Sequence, residues 1–214
     1  MSYRISILPR RHLIARAAAV AIVRAAPVRA QSLTGPALVQ ALRAGGYVLV
    51  MRHTSSPRAL PDPASANADN PGGERQLDAT GQDTARAMGE AFRALHIPVG
   101  EVLTSPTYRA RQTAAIAALG TAVTADELGD GGQGMMQDAD NARSVWLRNK
   151  AGDQPRGGAN TLLITHAPNI LGAFGSVAAD IADGETLVFR PAGAAPVLMA
   201  RVEVEEWQVL AAAK

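Results

Sequence analysis

Three features of this 214-residue sequence predict an α/β fold with a largely parallel sheet. Two apolar runs, Tyr47-Val48-Leu49-Val50-Met51 and Thr161-Leu162-Leu163-Ile164-Thr165, lack the alternation of a half-exposed strand. They read as strands buried on both faces, the usual condition in a parallel sheet. Both runs end in polar residues, Arg52-His53 and His166, at the strand ends where open α/β sheets bind ligands. Helical periodicity fills the intervals, so strands and helices alternate along the chain.

The elements follow in order. Thr34 caps a helix running to Ala44, with Pro36 in its first turn and Gly45-Gly46 beyond its end. The strand at 47–51 is next, then a Pro-, Asp-, Asn- and Gly-rich stretch from Ser55 to Asp78 that reads as a lid or binding loop. Thr80 is the expected cap of a helix whose apolar face is Ala87, Met88, Ala91, Phe92 and Leu95. Val102-Leu103 make a short strand, and Ser105-Pro106 begin a helix carrying Tyr108, Arg109 and Thr113. A short strand at Ala122–Thr124, a glycine-rich loop from Gly129 to Gly134 and a helix over Asn141–Lys150 lead to the strand at 161–165. Two last strands, Thr186–Phe189 and Val197–Val202, flank a turn at Pro191–Pro196. No internal repeat is present, and residues 31–214 read as one domain.

Composition narrows the function. With 47% hydrophobic and 19% charged residues the chain can bury one good core. No run approaches the ~18–20 apolar residues of a spanning helix, so the protein is not expected to span a membrane. The absence of cysteine excludes disulfides, thiolate metal sites and cysteine nucleophiles. Residues 1–30 contain six arginines and no acid. Removing them leaves 15 basic against 19 acidic groups, a formal charge of −4 on residues 31–214 although the whole chain carries +2. An acidic body lacks the positive surface that nucleic-acid binding needs, so no nucleic-acid partner is expected.

Residues 1–30 read as an export signal: a positive start, a modestly apolar stretch from Leu13 to Val23, and small residues around Val28-Arg29-Ala30. Arg10-Arg11-His12-Leu13-Ile14 resembles a twin-arginine leader, with Pro9 where Ser or Thr is usual. A periplasmic or secreted protein starting near Gln31 is the expectation.

The candidate site is Arg52, His53, Arg109 and His166, all at the ends or starts of elements that should converge. In order and spacing, Val50-Met51-Arg52-His53-Thr54, then Arg75-x-Leu77-x-x-x-Gly81, Leu103-Thr104-Ser105-Pro106-x-x-Arg109-Ala110-x-Gln112-Thr113 and Leu163-Ile164-Thr165-His166-Ala167-Pro168-Asn169 resemble the histidine phosphatase superfamily, the phosphoglycerate mutase-like proteins. The resemblance implies a three-layer sandwich with a largely parallel central sheet flanked by helices. It also implies His53 as nucleophile, Arg52 and Arg109 as phosphoryl ligands, and His166 completing the pocket. The chemistry agrees. A phosphate ester is a dianion that repels nucleophiles; two guanidiniums offset that charge with planar forks of donors, each charge-assisted bond contributing about 1.5–3 kcal/mol. A neutral imidazole is a good nucleophile near pH 7. No metal or cofactor is implied; the histidines lack zinc-motif spacing, and no Walker-type loop is present.

The pattern departs at two places. Relatives carry a glutamate beyond the helix that holds the second arginine; here Leu128-Gly129-Asp130 stands nearest, with Glu127 adjacent. Asp130 is the favoured proton donor and Glu127 the alternative. Thr54 replaces a glycine and is expected to narrow the pocket slightly. Arg58 and Arg75 read as solvated loop charges, with substrate contact from the lid as the alternative, His96 as structural, and Trp146 and Trp207 as packing residues. The expected activity is a metal-independent phosphomonoesterase acting on a small phosphorylated substrate or a phosphoprotein. A phosphoglycerate-type mutase and a noncatalytic phosphate- or phosphosugar-binding protein remain alternatives; the sequence says nothing of oligomeric state.

Overall fold

The computed structural model describes residues 32–57, 73–130 and 141–213. The expected export signal, the middle of the 55–78 loop with Arg58, and the glycines at 131, 132 and 134 lie outside the described residues.

In chain order the elements are α1 Gly35–Ala44, β1 Val48–Arg52, α2 Ala79–Ala94, β2 Val99–Thr104, α3 Tyr108–Ala117, β3 Ala122–Thr124, α4 Ala142–Ala151, β4 Asn160–Thr165, α5 Ala167–Phe174, β5 Thr186–Arg190, β6 Val197–Val202 and α6 Glu206–Ala212. The strands form one sheet in the order β3-β2-β4-β1-β5-β6. β3, β2, β4 and β1 run parallel, and β5 and β6 are antiparallel additions at one edge.

The two apolar runs occupy the centre of this sheet. Leu49 and Met51 of β1, with Leu162 and Ile164 of β4, point to one face; Val48, Val50 and Leu163 point to the other. The first face is covered by α1, α2, α3 and α6 through Leu42, Met88, Phe92, Ala114 and Trp207. The second is covered by α4 and α5 through Leu147, Ala151, Ile170 and Ala173. This is a three-layer α/β sandwich, and it explains why neither run alternates: each residue meets a helix whichever way it points.

Three expectations are corrected. Asp78, not Thr80, caps α2, its Oδ1 accepting from the Gly81 amide at 2.7 Å. A carboxylate two residues earlier reaches the first-turn amides that Thr80, already inside the helix, cannot. The helix carrying Arg109 begins at Tyr108 rather than Ser105, and Ser105 Oγ instead accepts from the Thr107 amide at 3.2 Å. Helices α5 and α6, which the periodicity reading left unassigned, follow His166 and close the chain. The sheet is largely parallel as expected, with an antiparallel C-terminal edge. Helix α5 has eight residues, about 12 Å of rise, against about 20 Å for the six-residue β4 it follows. Residues 175–185 then bring the chain back to the end of the sheet where β4 left it, Thr186 pairing with Met51, and β5 runs antiparallel to β1.

Trp207 is fully buried and packs edge-on against Phe92, ring centroids 4.6 Å apart, as its packing role requires. Among the described residues no helix is long and apolar enough to cross a membrane.

Candidate active site

Three adjacent parallel strands deliver the site. In register, Arg52 of β1 lies opposite Thr165 of β4, and Thr104 of β2 lies opposite Ile164. Each chain continues one residue past its strand still bonded to its neighbour: the His53 amide donates to Thr165 O at 3.0 Å, the Ser105 amide to Ile164 O at 2.9 Å. His53, His166 and Ser105 thus meet at one edge, where β4 and β1 turn away into different layers. The two imidazole rings are 5.2 Å apart, edge to face.

Arg109, projecting from the first turn of α3, lies between them. Its Nε–H donates to His53 Nε2 at 3.2 Å and its Nη2 to His166 Nδ1 at 3.1 Å; Nη2 also pairs with the Asp130 carboxylate. The side chain is 8% exposed. On its other side His53 Nδ1–H donates to Thr54 O at 2.7 Å. That bond fixes the neutral tautomer with the lone pair of Nε2 facing Arg109. His166 has the opposite tautomer: Nε2–H donates to Ser105 Oγ at 2.9 Å, leaving Nδ1 as the acceptor.

The electrostatics agree with neutral rings. Burial pushes His53 down to about 3; the Thr54 carbonyl acts against this, and Arg109, Arg52 and Arg75 add to the fall. Burial, then Arg109, hold His166 well below the ordinary histidine range. Arg52 lies at the mouth, its Nη1 donating to Ile181 O at 2.7 Å and its Nη2 2.6 Å from Asp183 Oδ1.

The motif residues that bear no chemistry hold this edge in place. Asp78 bridges the strand-end loop and α2, accepting from Ser55 Oγ at 2.7 Å while it caps the helix. A Cβ on Gly81 would stand 2.0 Å from Ser55 O, so this close approach admits only glycine. Asn169 Nδ2 donates to Gly129 O at 2.9 Å and to Thr165 Oγ1 at 2.9 Å, and Thr165 Oγ1 donates to Leu128 O at 2.7 Å. The loop that carries Asp130 is thereby tied to the strand that carries His166.

The structure brings Arg52, His53, Arg109, His166 and Asp130 together. Glu127 is exposed one turn away and does not reach Arg109. Two expectations change. Thr54 is fully buried, its Oγ1 bonded at 3.2 Å to Thr113 Oγ1 on α3, so its side chain ties the loop to the helix instead of narrowing the mouth. Arg75 is no free loop charge: its Nε donates to Pro57 O at 2.7 Å and its Nη2 to Ser56 O at 3.2 Å. Burial and the neighbouring Arg109 hold it below the ordinary arginine value, against the pull of Asp130 and Asp183. Ser105 and Asp183 are the site residues the sequence reading did not single out. Ser105 belongs to the Ser105-Pro106-x-x-Arg109 motif, and Asp183 has only the turn signal of Asp183-Gly184 before a strand. Among the described residues no cluster of three or more His, Cys, Asp or Glu side chains could hold a metal ion.

Residues 48–166, more than half of the chain, match the sequence model of the histidine phosphatase superfamily (branch 1). None of the curated proteins searched matches the sequence. Among solved structures, the protein histidine phosphatase SixA complexed with tungstate is similar, with 20% identity and a TM-score of 0.54 over 75% of this chain and 98% of that one. A candidate phosphohistidine phosphatase SixA from Nakamurella multipartitia has 20% identity and a TM-score of 0.52 over 74% and 95%. A mutant phosphoserine phosphatase from Entamoeba histolytica, in complex with phosphoserine, has 11% identity and a TM-score of 0.50 over 74% and 98%. At these identities the likeness is one of fold.

Proposed function

Because the chain belongs to the histidine phosphatase superfamily, branch 1, we propose that it is a phosphomonoesterase working through a phosphohistidine on His53. The observation that carries this reading is the His53 ring, neutral and pinned by Thr54 O through Nδ1–H, with Nε2 facing Arg109. Arg52, Arg109 and His166 surround the seat of a phosphoryl group.

In the proposed reaction the substrate's phosphoryl oxygens take the forks of Arg52 and Arg109, displacing Asp130 from Arg109. Released from Arg109 beside the incoming phosphate, Asp130 takes up a proton from the substrate monoanion or from water; His53 Nε2 then attacks phosphorus, the ester P–O bond breaks, and the leaving oxygen takes that proton from Asp130. Water then attacks the phosphohistidine and gives its proton to Asp130, the P–N bond breaks, and inorganic phosphate leaves. Fixed donors stabilise the charge that spreads over the equatorial oxygens without reorganising during reaction. No metal takes part in this scheme. The substrate is a small phosphorylated compound or a phosphoprotein; the solved relatives described as acting on phosphohistidine and phosphoserine support that range.

The test is hydrolysis of an aryl and an alkyl phosphate by wild type, His53→Ala and Asp130→Asn, with and without EDTA. Wild type should turn over both esters with or without the chelator, and His53→Ala neither. Asp130→Asn should lose about 10²–10⁴-fold on the alkyl ester and far less on the aryl ester, whose leaving group departs unassisted. Equal losses on both esters would make Asp130 structural, and activity that fails in EDTA would overturn the metal-free scheme.

We further propose that the protein is exported, on the strength of Arg10-Arg11 and the small residues before Gln31. Replacing both arginines by lysine should hold the precursor in the cytoplasm. An exported protein with residues 1–30 intact by N-terminal sequencing would refute cleavage.

A further inference from the structure

Residues 181–185, between α5 and β5, form a tight turn that grips the end of β1 from outside the sheet. The Glu185 amide donates to Ala182 O at 3.2 Å, closing the turn, and Gly184 sits at φ +78°, a conformation that favours glycine. Backbone bonds weld this turn to the chain that carries the phosphoryl ligands: the Arg52 amide donates to Glu185 O and the Gly184 amide to His53 O, both at 3.1 Å. The side chain of Arg52 is then held twice by the same turn, through Ile181 O at 2.7 Å and Asp183 Oδ1 at 2.6 Å.

The turn is itself clamped from behind. Glu185 is 4% exposed, and its Oε2 accepts from the Ala182 amide at 2.8 Å. Arg201 of β6 grips both carboxylate oxygens, Nε to Oε1 at 2.6 Å and Nη2 to Oε2 at 3.1 Å. The Nη1 of Arg201 reaches back to Val177 O and Ala179 O, at 3.3 and 3.2 Å, on the segment leading into the turn. A bidentate pair braced on both sides gives the turn little freedom.

We propose that Asp183 is the positioning residue for Arg52, holding its guanidinium fork toward the phosphoryl seat before substrate arrives, from a turn locked by the Glu185–Arg201 pair. This rests on the reading of Arg52 as a phosphoryl ligand. Arginine carries several rotatable bonds, and the entropy of fixing them must otherwise be met on binding. An arginine already held loses less. The opposing effect is electrostatic: a carboxylate beside the seat repels an incoming dianion, so a mere bystander at position 183 would weaken phosphate binding. Positioning and repulsion therefore predict opposite signs when Asp183 is removed.

The test measures kcat/KM on an aryl phosphate and the competitive inhibition constant of inorganic phosphate in wild type, Asp183→Ala, Asp183→Asn, Arg52→Ala and Arg52→Ala/Asp183→Ala. Asp183→Asn keeps the shape of the turn and guards against a folding defect in the alanine variant. Both single changes at 183 should lower kcat/KM and weaken phosphate binding about tenfold, within the range for coupled contacting residues. In the Arg52→Ala background, where only the repulsion is left to lose, Asp183→Ala should weaken phosphate binding no further and should tighten it if it changes it at all. Unchanged or tighter phosphate binding in the Asp183 variants, or effects that multiply in the double variant, would overturn the proposal while leaving Arg52 a ligand. A wild type that neither hydrolyses the ester nor binds phosphate, or an Arg52→Ala protein equal to wild type, would overturn the reading of Arg52 itself, and this proposal with it.

Discussion

At His53 the ring proton lies on Nδ1 against Thr54 O, and burial with three nearby guanidiniums keeps the second nitrogen free down to a pKa of about 3. A histidine in the unfolded chain titrates near 6.5. Below pH 6.5 the unfolded chain therefore takes up a proton that the folded site refuses, and stability falls as pH drops from 6.5 toward 3. His166 shifts in the same direction and adds to the slope. Each contributes at most about 1.4 kcal/mol per pH unit in that window. Urea unfolding midpoints should accordingly fall between pH 7 and pH 5, and fall less steeply in His53→Asn. Parallel slopes for the two proteins would show that His53 is not held neutral by its surroundings. Arg109 completes the picture at this scale. It touches both histidines and Asp130, and a lysine, a point charge on a flexible stem, could not span the three.

Helix α2 and the loop after His53 meet so closely at Gly81 that an added Cβ would lie 2.0 Å from Ser55 O and 2.9 Å from Ser55 C. Two effects oppose each other in Gly81→Ala. Helix propensity favours alanine by about 1 kcal/mol, and overpacking against backbone costs about 1–3 kcal/mol. The steric term should win because the obstacle is main chain and cannot rotate aside. Gly81→Ala is expected to lower stability by up to about 2 kcal/mol, read from the denaturant midpoint, and to lower kcat/KM as Ser55 pulls on His53. A stabilised, fully active variant would contradict this packing. The same elements explain what the sequence made legible. Strands β1 and β4 were readable because a strand between two helical layers cannot alternate, and Arg52, His53 and His166 because they stand at those strand ends. Arg109 and Asp130 were reachable through the spacing of blocks that resemble the family. Asp183 was not, because it acts through a turn 131 positions from Arg52, and no local pattern records that approach. Helix α6 escaped for a similar reason. It is seven residues long and is held by tertiary packing, Trp207 on Phe92 with Leu210 and Ala211 against the same core, more than by any periodicity of its own.

Across the whole molecule the cationic pocket contrasts with the acidic balance of residues 31–214. Arg52, Arg75 and Arg109 converge on one sheet edge, with Asp130 and Asp183 as their partners. The positive charge is thus local and can be claimed by one small dianion, which fits a phosphomonoesterase better than a polyanion binder. The architecture makes the site cooperative: β1 supplies Arg52 and His53, β4 supplies His166, α3 supplies Arg109, and the 3₁₀ turn at Asp126–Leu128 leads to Asp130. The central claim is that these parts serve covalent transfer to His53. Rapid acid-free quenching during turnover of a radiolabelled aryl phosphate, followed by peptide mapping, tests it most directly. An acid-labile, alkali-stable phosphoryl group should appear on the peptide containing His53 and be absent from His53→Ala, which should still bind phosphate through its two arginines. Steady turnover by His53→Ala, or label found only on another residue, would contradict it.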